Sequence, residues 1–199
     1  MRVTQITLEG SKFLQRRETT LPGVWELRPR IFRDSRGFFL ETYNHREFAG
    51  IGIGHAFVQD NFSLSAKGTL RGLHYQLDRP QAKLCRVVGG EALDVAVDIG
   101  VDSPDFGKWT SVLLSASDQN QIYIPIGFAH GFLALTDHVQ FCYKCGDFYD
   151  PADERGIHWN DPQLGISWGL ANPLVSEKDS RLCNLNDIPR EFLPRYAAP

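Results

Sequence analysis

A chain of 199 residues, 42% hydrophobic and 23% charged, is ordinary for a globular protein and long enough for one domain with a sizeable core. Its formal charge of −3 and the lack of any basic run exclude the electrostatic footprint of a nucleic-acid binder. No run of about 18 apolar residues occurs, and "MRVTQITLEG" at the start contains no apolar leader core, so the expectation is a soluble, cytoplasmic protein with no membrane contact.

Gly and Pro recur along the whole length and cut it into short segments, the punctuation of an all-β fold. In chain order, "WELRPRIFR" and "GFFLETY" read as strands and "NHREFAG" as a short helix. "AFVQDNFS", "TLRGLHYQ" and "KLCRVVGG" read as further strands. "EALDVAVDIG" is the clearest: Leu93, Val95, Val97 and Ile99 alternate with Asp94, Ala96 and Asp98. "WTSVLLS", "QIYIP", "GFLAL" and "VQFCYKCG" follow, and a helical turn is predicted near "SEKDSRL". About ten short strands, with no repeat or linker, predict a single domain over residues 1–199, built as a sandwich or jelly roll whose mouth can hold one ligand.

Four cysteines are too few and too scattered for a disulfide scaffold. Cys142 and Cys145 form a C-x-x-C, but positions three apart on a strand point to opposite faces, so two separate thiols are expected.

The polar stretch "LRGLHYQ" holds the first candidate. Alternation puts Leu70, Gly72, His74 and Gln76 on one face and Arg71, Leu73 and Tyr75 on the other, with Gly72 leaving space for a ligand beside His74. Alone, His74 could be a metal ligand, a base or a hydrogen-bonded core histidine. "YIPIGFAHGF" carries Pro125, Gly127 and His130 at the Pro-x-Gly-x-x-His spacing that resembles the second cupin motif. The first cupin motif would bring His-x-His and a nearby Glu, whereas this chain has His74-Tyr75-Gln76 and no Glu through Gln81. A metal site is therefore poorly supplied, and a metal-free pocket is expected. Arg36, Glu41, Gln59, Asn61 and Arg71 add forked cations and hydrogen-bonding groups suited to phosphates, a ribose or a base. With no glycine-rich phosphate loop, side chains would hold any nucleotide. Lys83 in "QAKLCR" and Tyr143 in "FCYKC" complete the set, Tyr143 sharing its strand face with Phe141 and Cys145.

Taken in order, "FRDSRGFFLETY", "FVQDNFS", "LRGLHYQ", "DVAVDIGVDSPDFG", "IPIGFAHGF", "WNDPQLGISW" and "SEKD" resemble the dTDP-4-dehydrorhamnose 3,5-epimerase family from about Trp25 to Asp179. The resemblance implies a cupin-type jelly roll with short peripheral helices and a core over about 25–168. It also implies no cofactor, and a homodimer whose pockets borrow residues from the neighbouring subunit. It implies inversion at C3, C5 or both of a nucleotide-linked 4-keto-6-deoxy sugar. By position, His74 would be the base, Asp179 its paired carboxylate, Lys83 the cation at the enolate and Tyr143 the acid. Arg36, Glu41, Gln59, Asn61, Arg71 and Lys178 would contact the nucleotide, with Tyr149 and His130 in the pocket. The chemistry is coherent: the ketone acidifies its neighbouring C–H bonds, and an imidazole, titrating ordinarily near pH 6.5, suits proton removal near neutrality. The residues leave open a metal-dependent cupin using His74 and His130, and a sugar-nucleotide binder without catalysis.

Overall fold

The computed structural model describes residues 9–10 and 13–196. Residues 1–8, with their lack of an apolar run, and residues 197–199 of the tail lie outside the described residues.

The chain opens with β1 (Glu9–Gly10), β2 (Leu14–Glu18), β3 (Trp25–Pro29), β4 (Ile31–Asp34), β5 (Gly37–Leu40) and helix α1 (His45–Gly50). There follow β6 (Gln59–Ser65), β7 (Leu70–Gln76), β8 (Lys83–Gly89), β9 (Glu91–Asp98) and β10 (Trp109–Ser115). The last strands are β11 (Gln121–Ile124), β12 (Phe128–Ala134), β13 (Val139–Cys145) and β14 (Glu154–Gly156), before the short helix α2 (Glu177–Ser180). A seven-stranded sheet, β1-β2-β3-β11-β8-β13-β6, faces a five-stranded sheet, β10-β9-β12-β7-β14, and β4 and β5 make a separate hairpin. Every ladder among the described strands is antiparallel, and the result is the expected all-β jelly roll.

The core between the sheets is made by inward residues of both: Cys85, Val87, Ile122 and Phe141 from one, Ala92, Ala96, Phe132 and Ala134 from the other. Phe132 and Phe141 stack across the interlayer at 3.9 Å and 2° between ring planes. Burying one such ring is worth about 1.5–3 kcal/mol.

One sequence expectation changes here, and one pattern acquires its meaning. "WELRPRIFR" is not one strand: β3 ends at Pro29, Arg30 N–H makes one more bond to the neighbouring chain by donating to Phe13 O at 2.8 Å, and the chain then turns into the hairpin. The alternation of "EALDVAVDIG" does not separate core from solvent. Its Val95 and Val97 pack outward beneath Ile157, Leu164, Trp168 and Leu193 from the later chain, while Asp94 points into the barrel interior at 0% exposure. The five-stranded sheet is therefore covered on both faces. On the other sheet α1, capped by the Asn44 side chain accepting from Arg46 N–H, seats Phe48 against Leu27, Leu84 and Tyr123.

Candidate active site

At the mouth of the barrel is a cavity of about 680 Å³, lined by Gln59, Asn61, Arg71, His74, Lys83, His130, Tyr143, Tyr149, Lys178 and Asp179. Ten predicted residues thus meet in one place, drawn from β6, β7, β8, β12, β13, α2 and the loop after β13. A hollow of equal volume at Leu77, Ile126 and Leu193 contains no histidine or phenol.

The geometry of β7 explains how Arg71 and His74 reach the same cavity, against strict alternation. His130 of β12 pairs with His74, and Phe132 pairs with Arg71. Two steps along β12 thus match three along β7, so β7 carries an extra residue, a bulge that reverses face parity. Arg71 and His74 then share the cavity face, while Leu73 and Tyr75 are buried in the outer cluster. Gly72 does not leave space for a ligand. It sits at φ 106, and a Cβ there would lie 2.5 Å from His130 O and 2.6 Å from Gly131 Cα. Its missing side chain instead lets the backbones of β7 and β12 approach.

His74 Nε2 lies 2.7 Å from Asp179 Oδ1, and Gly72 N–H donates to Asp179 Oδ2 at 3.4 Å. Ser176 caps α2 by accepting from Asp179 N–H, which fixes the turn carrying the carboxylate. Burial acts to raise the Asp179 pKa, but the His74 ring and Gly72 N–H outweigh it and hold the carboxyl below the ordinary range. A carboxylate only accepts, so Nε2 carries the ring proton toward it and Nδ1 keeps the lone pair.

Tyr143 sits beside Phe141 on β13, and burial pushes its phenol up to about 12, helped by Cys145, Cys85 and Glu154. It stays protonated across the neutral range. Lys83, buried, donates to His74 O at 3.5 Å. Gln59 Nε2 donates to Asn61 Oδ1 at 3.0 Å, and Gln59 Oε1 accepts from Tyr149 N–H at 2.8 Å. Arg71 Nε donates to Ser65 Oγ at 3.2 Å.

Arg36 and Glu41 are not brought to this cavity. Arg36 occupies the exposed turn of the β4–β5 hairpin, its side chain 88% exposed and paired with Asp34 at 2.6 Å. Glu41 is exposed just beyond the hairpin and accepts from Asn44 Nδ2 at 3.2 Å. The two-histidine metal arrangement is not formed either: His74 Nε2 is on Asp179, and His130 Nε2 lies 3.0 Å from each oxygen of Asp94. Among the described residues, the group able to supply three metal-ligand atoms within 4.8 Å of one another is Cys85, Asp94 and His130. Gln76 spends its amide on loops, donating to Arg79 O and Phe148 O and accepting from Asp150 N–H.

Glu154 escaped the sequence reading. Its carboxylate accepts from Tyr149 Oη at 3.0 Å, pairs with Lys178 and stands 3.7 Å from His74 Nδ1. Burial acts to raise its pKa, but Lys178, His74 and Tyr149 together lower it. It belongs to β14, only three residues long, too short to show a period. The C-x-x-C divides as expected, with Cys145 lining the cavity and Cys142 on the outer face; all four cysteines are free.

Comparison with known proteins gives a consistent picture. The family model described as dTDP-4-dehydrorhamnose 3,5-epimerase matches residues 18–187. The dTDP-4-dehydrorhamnose 3,5-epimerase of Shigella flexneri is 51% identical over 164 residues, covering 81% of this chain and 91% of that protein. A Legionella pneumophila 3,5-epimerase, solved in complex with dTDP-4-keto-L-rhamnose, superposes with a TM-score of 0.90 at 46% identity, over 93% of this chain and 100% of that one. A 3′-monoepimerase from Streptomyces bikiniensis, solved with dTDP-quinovose, has a TM-score of 0.84 at 36% identity, over 90% and 92% of the two chains.

Proposed function

The chain belongs to the dTDP-4-dehydrorhamnose 3,5-epimerase family, and on that premise we propose that it epimerises a dTDP-4-keto-6-deoxyhexose at C3 and C5, as a step of deoxysugar synthesis. The observation that carries the reading is the 2.7 Å His74–Asp179 pair in one cavity with a protonated phenol and a buried lysine. His74, through Nδ1, takes the proton next to the ketone, and Asp179 steadies the imidazolium that forms. The electrons move onto the carbonyl oxygen as an enolate, which Lys83 stabilises; a donor of this kind is worth about 3–4 kcal/mol in a dry site. Tyr143 then returns a proton to the opposite face, and repetition at the second carbon completes the double inversion. Gln59, Asn61, Arg71, Tyr149 and Lys178 hold the nucleotide, with His130 at the sugar. The catalytic unit is one jelly-roll domain with its core over about 25–168.

The same reading makes the protein a homodimer. The β4–β5 hairpin exposes Phe32, Phe38 and Phe39, and β6, at the edge of its sheet, exposes Phe62 (63%) and Leu64 (56%). Such an apolar patch beside an open strand edge suits a partner chain. Arg36 and Glu41 on or beside the hairpin then serve the neighbouring cavity. Four free cysteines suit a cytoplasmic location, and no described helix is long and apolar enough to cross a membrane.

Incubation with the 4-keto sugar nucleotide in D₂O tests the reaction. Deuterium is expected at both C3 and C5; label at one carbon indicates a single-centre enzyme like the Streptomyces neighbour, and none at either defeats the reading. In Tyr143→Phe, exchange should outlast net inversion, because the base still works while the opposite-face donor is gone. Mixing inactive Arg36→Ala with inactive His74→Ala should restore activity if sites are shared between subunits; if the mixture stays dead, the hairpin does not serve the partner.

A further inference from the structure

We infer that Cys85, Asp94 and His130 form a binding site for one thiophilic divalent cation, Zn²⁺ in the first instance, and that filling it inhibits the enzyme. The three residues come from three strands, β8 in one sheet and β9 and β12 in the other, so the site bridges the two layers of the barrel. Their ligand atoms all lie within 4.8 Å of one another. His130 Nε2 stands 3.0 Å from both carboxylate oxygens of Asp94 and 3.8 Å from Cys85 Sγ. A tetrahedral zinc, with bonds of about 2.0–2.1 Å to N and O and about 2.3 Å to S, separates its ligand atoms by roughly 3.3–3.6 Å. The two contacts of His130 therefore need to change by only a few tenths of an ångström to receive the ion, and Cys85 Sγ lies within 4.8 Å of the carboxylate.

The donor set selects the cation. A sulfur and an imidazole beside one carboxylate suit zinc and its neighbours, while magnesium and calcium require oxygen. The site is also rigid, since Cys85 and Asp94 are 0% exposed and His130 is 7% exposed, with the His130 ring 6.2 Å from that of Phe141. On binding, Cys85 enters as thiolate and its proton leaves to solvent, and the proton held between His130 Nε2 and Asp94 is displaced, to Nδ1 or to solvent. His130 is the one of the three that lines the cavity, so the fourth ligand, water or a substrate oxygen, would come from that side. An occupied site ties down the His130 ring and sets a second cation near Lys83, the residue that must receive the enolate. Unlike a metal cupin, this arrangement leaves His74 on Asp179 and makes the metal an inhibitor.

Inhibition rests on the epimerase reading, but cation binding does not, so the two are measured apart. The whole protein, stripped with a chelator, is titrated with Co²⁺ and Zn²⁺ by equilibrium dialysis and absorption. One Co²⁺ per chain is expected, with a near-ultraviolet thiolate-to-cobalt band. Cys85→Val should lose the band and at least about tenfold in affinity, as loss of a direct ligand costs no less than loss of an outer partner. Its metal-free turnover should equal that of the wild type, and its inhibition should need at least about tenfold more Zn²⁺. Cys85→Ser, close to isosteric, must also lose the band, and it decides the matter if valine disturbs the core. The site is overturned by absence of stoichiometric binding, or by a band that survives in both variants and so belongs to another cysteine. Binding with unchanged turnover, or equal zinc sensitivity in wild type and variant, overturns the inhibitory role.

Discussion

His74 and His130 face each other across the β7–β12 ladder, each hydrogen-bonded to an aspartate, yet their surroundings differ. The side chains of His74 and Asp179 are 26% and 6% exposed; those of His130 and Asp94 are 8% and 0%. Asp179 has a second donor in Gly72 N–H and is held below the usual carboxylate range. Asp94 is pushed up by complete burial, against the pull of His130. The first pair keeps a charge ready and a ring nitrogen open to the cavity. The second puts both carboxylate oxygens on one nitrogen, with a thiol behind it. The residue types are the same; desolvation and the count of donors on the carboxylate separate a charged, partly open pair from a fully buried one.

The sharpest way to break this comparison is to remove each ring. His74→Ala should lower kcat/KM by about 10³–10⁴-fold with the circular dichroism of the native fold retained. His130→Ala should cost at least an order of magnitude less, and equal losses would erase the distinction. Next, Asp179→Asn should reduce kcat by about 10²-fold with KM little changed, since it alters the support of the imidazolium and not the nucleotide contacts. Third, Gly72→Ala tests the contact between the two strands. An alanine there adopts a positive φ and meets β12 backbone, so denaturant unfolding should show a loss of about 3 kcal/mol; a change below about 0.5 kcal/mol would mean the strands can part freely.

The smallest effect is in acid. With its folded pKa lowered, Asp179 binds fewer protons folded than unfolded, so its contribution is present above about pH 4 and fades as pH falls further. With its folded pKa raised, Asp94 has the opposite sign: the folded state keeps the proton, and stability declines as pH rises past about 4. Between pH 3 and 5, Asp179→Asn and Asp94→Asn should therefore change the slope of stability against pH in opposite directions, each by less than about 1.4 kcal/mol per pH unit. Slopes that change in the same direction would show that the two carboxylates are not differently tuned.

Most strands and both short helices are legible in the sequence because apolar spacing and Gly or Pro breaks mark them. β2 is not, since "LQRRE" offers one apolar residue and holds its place by ladder bonds to β3. The site is legible in residue type and chain order, less so in orientation. A single extra residue in β7 turns Arg71 into the cavity, and parity counting has no means to see an insertion that depends on the partner strand. The place of Asp94 is illegible for a related reason: alternation identifies two faces without saying which is wet, and here both are dry. Glu154 is invisible because its importance comes from three neighbours distant in sequence or across a turn.

The carboxylate on which His74 depends lies 105 residues further along the chain. It arrives with the segment that roofs Val95 and Val97 on the five-stranded sheet. A chain emerging from the ribosome therefore exposes His74, Lys83 and Tyr143 before the carboxylate that pairs with His74 has been made. The His74–Asp179 contact ties the cavity to the seating of the C-terminal segment on the five-stranded sheet: whatever loosens that segment also releases the His74 ring.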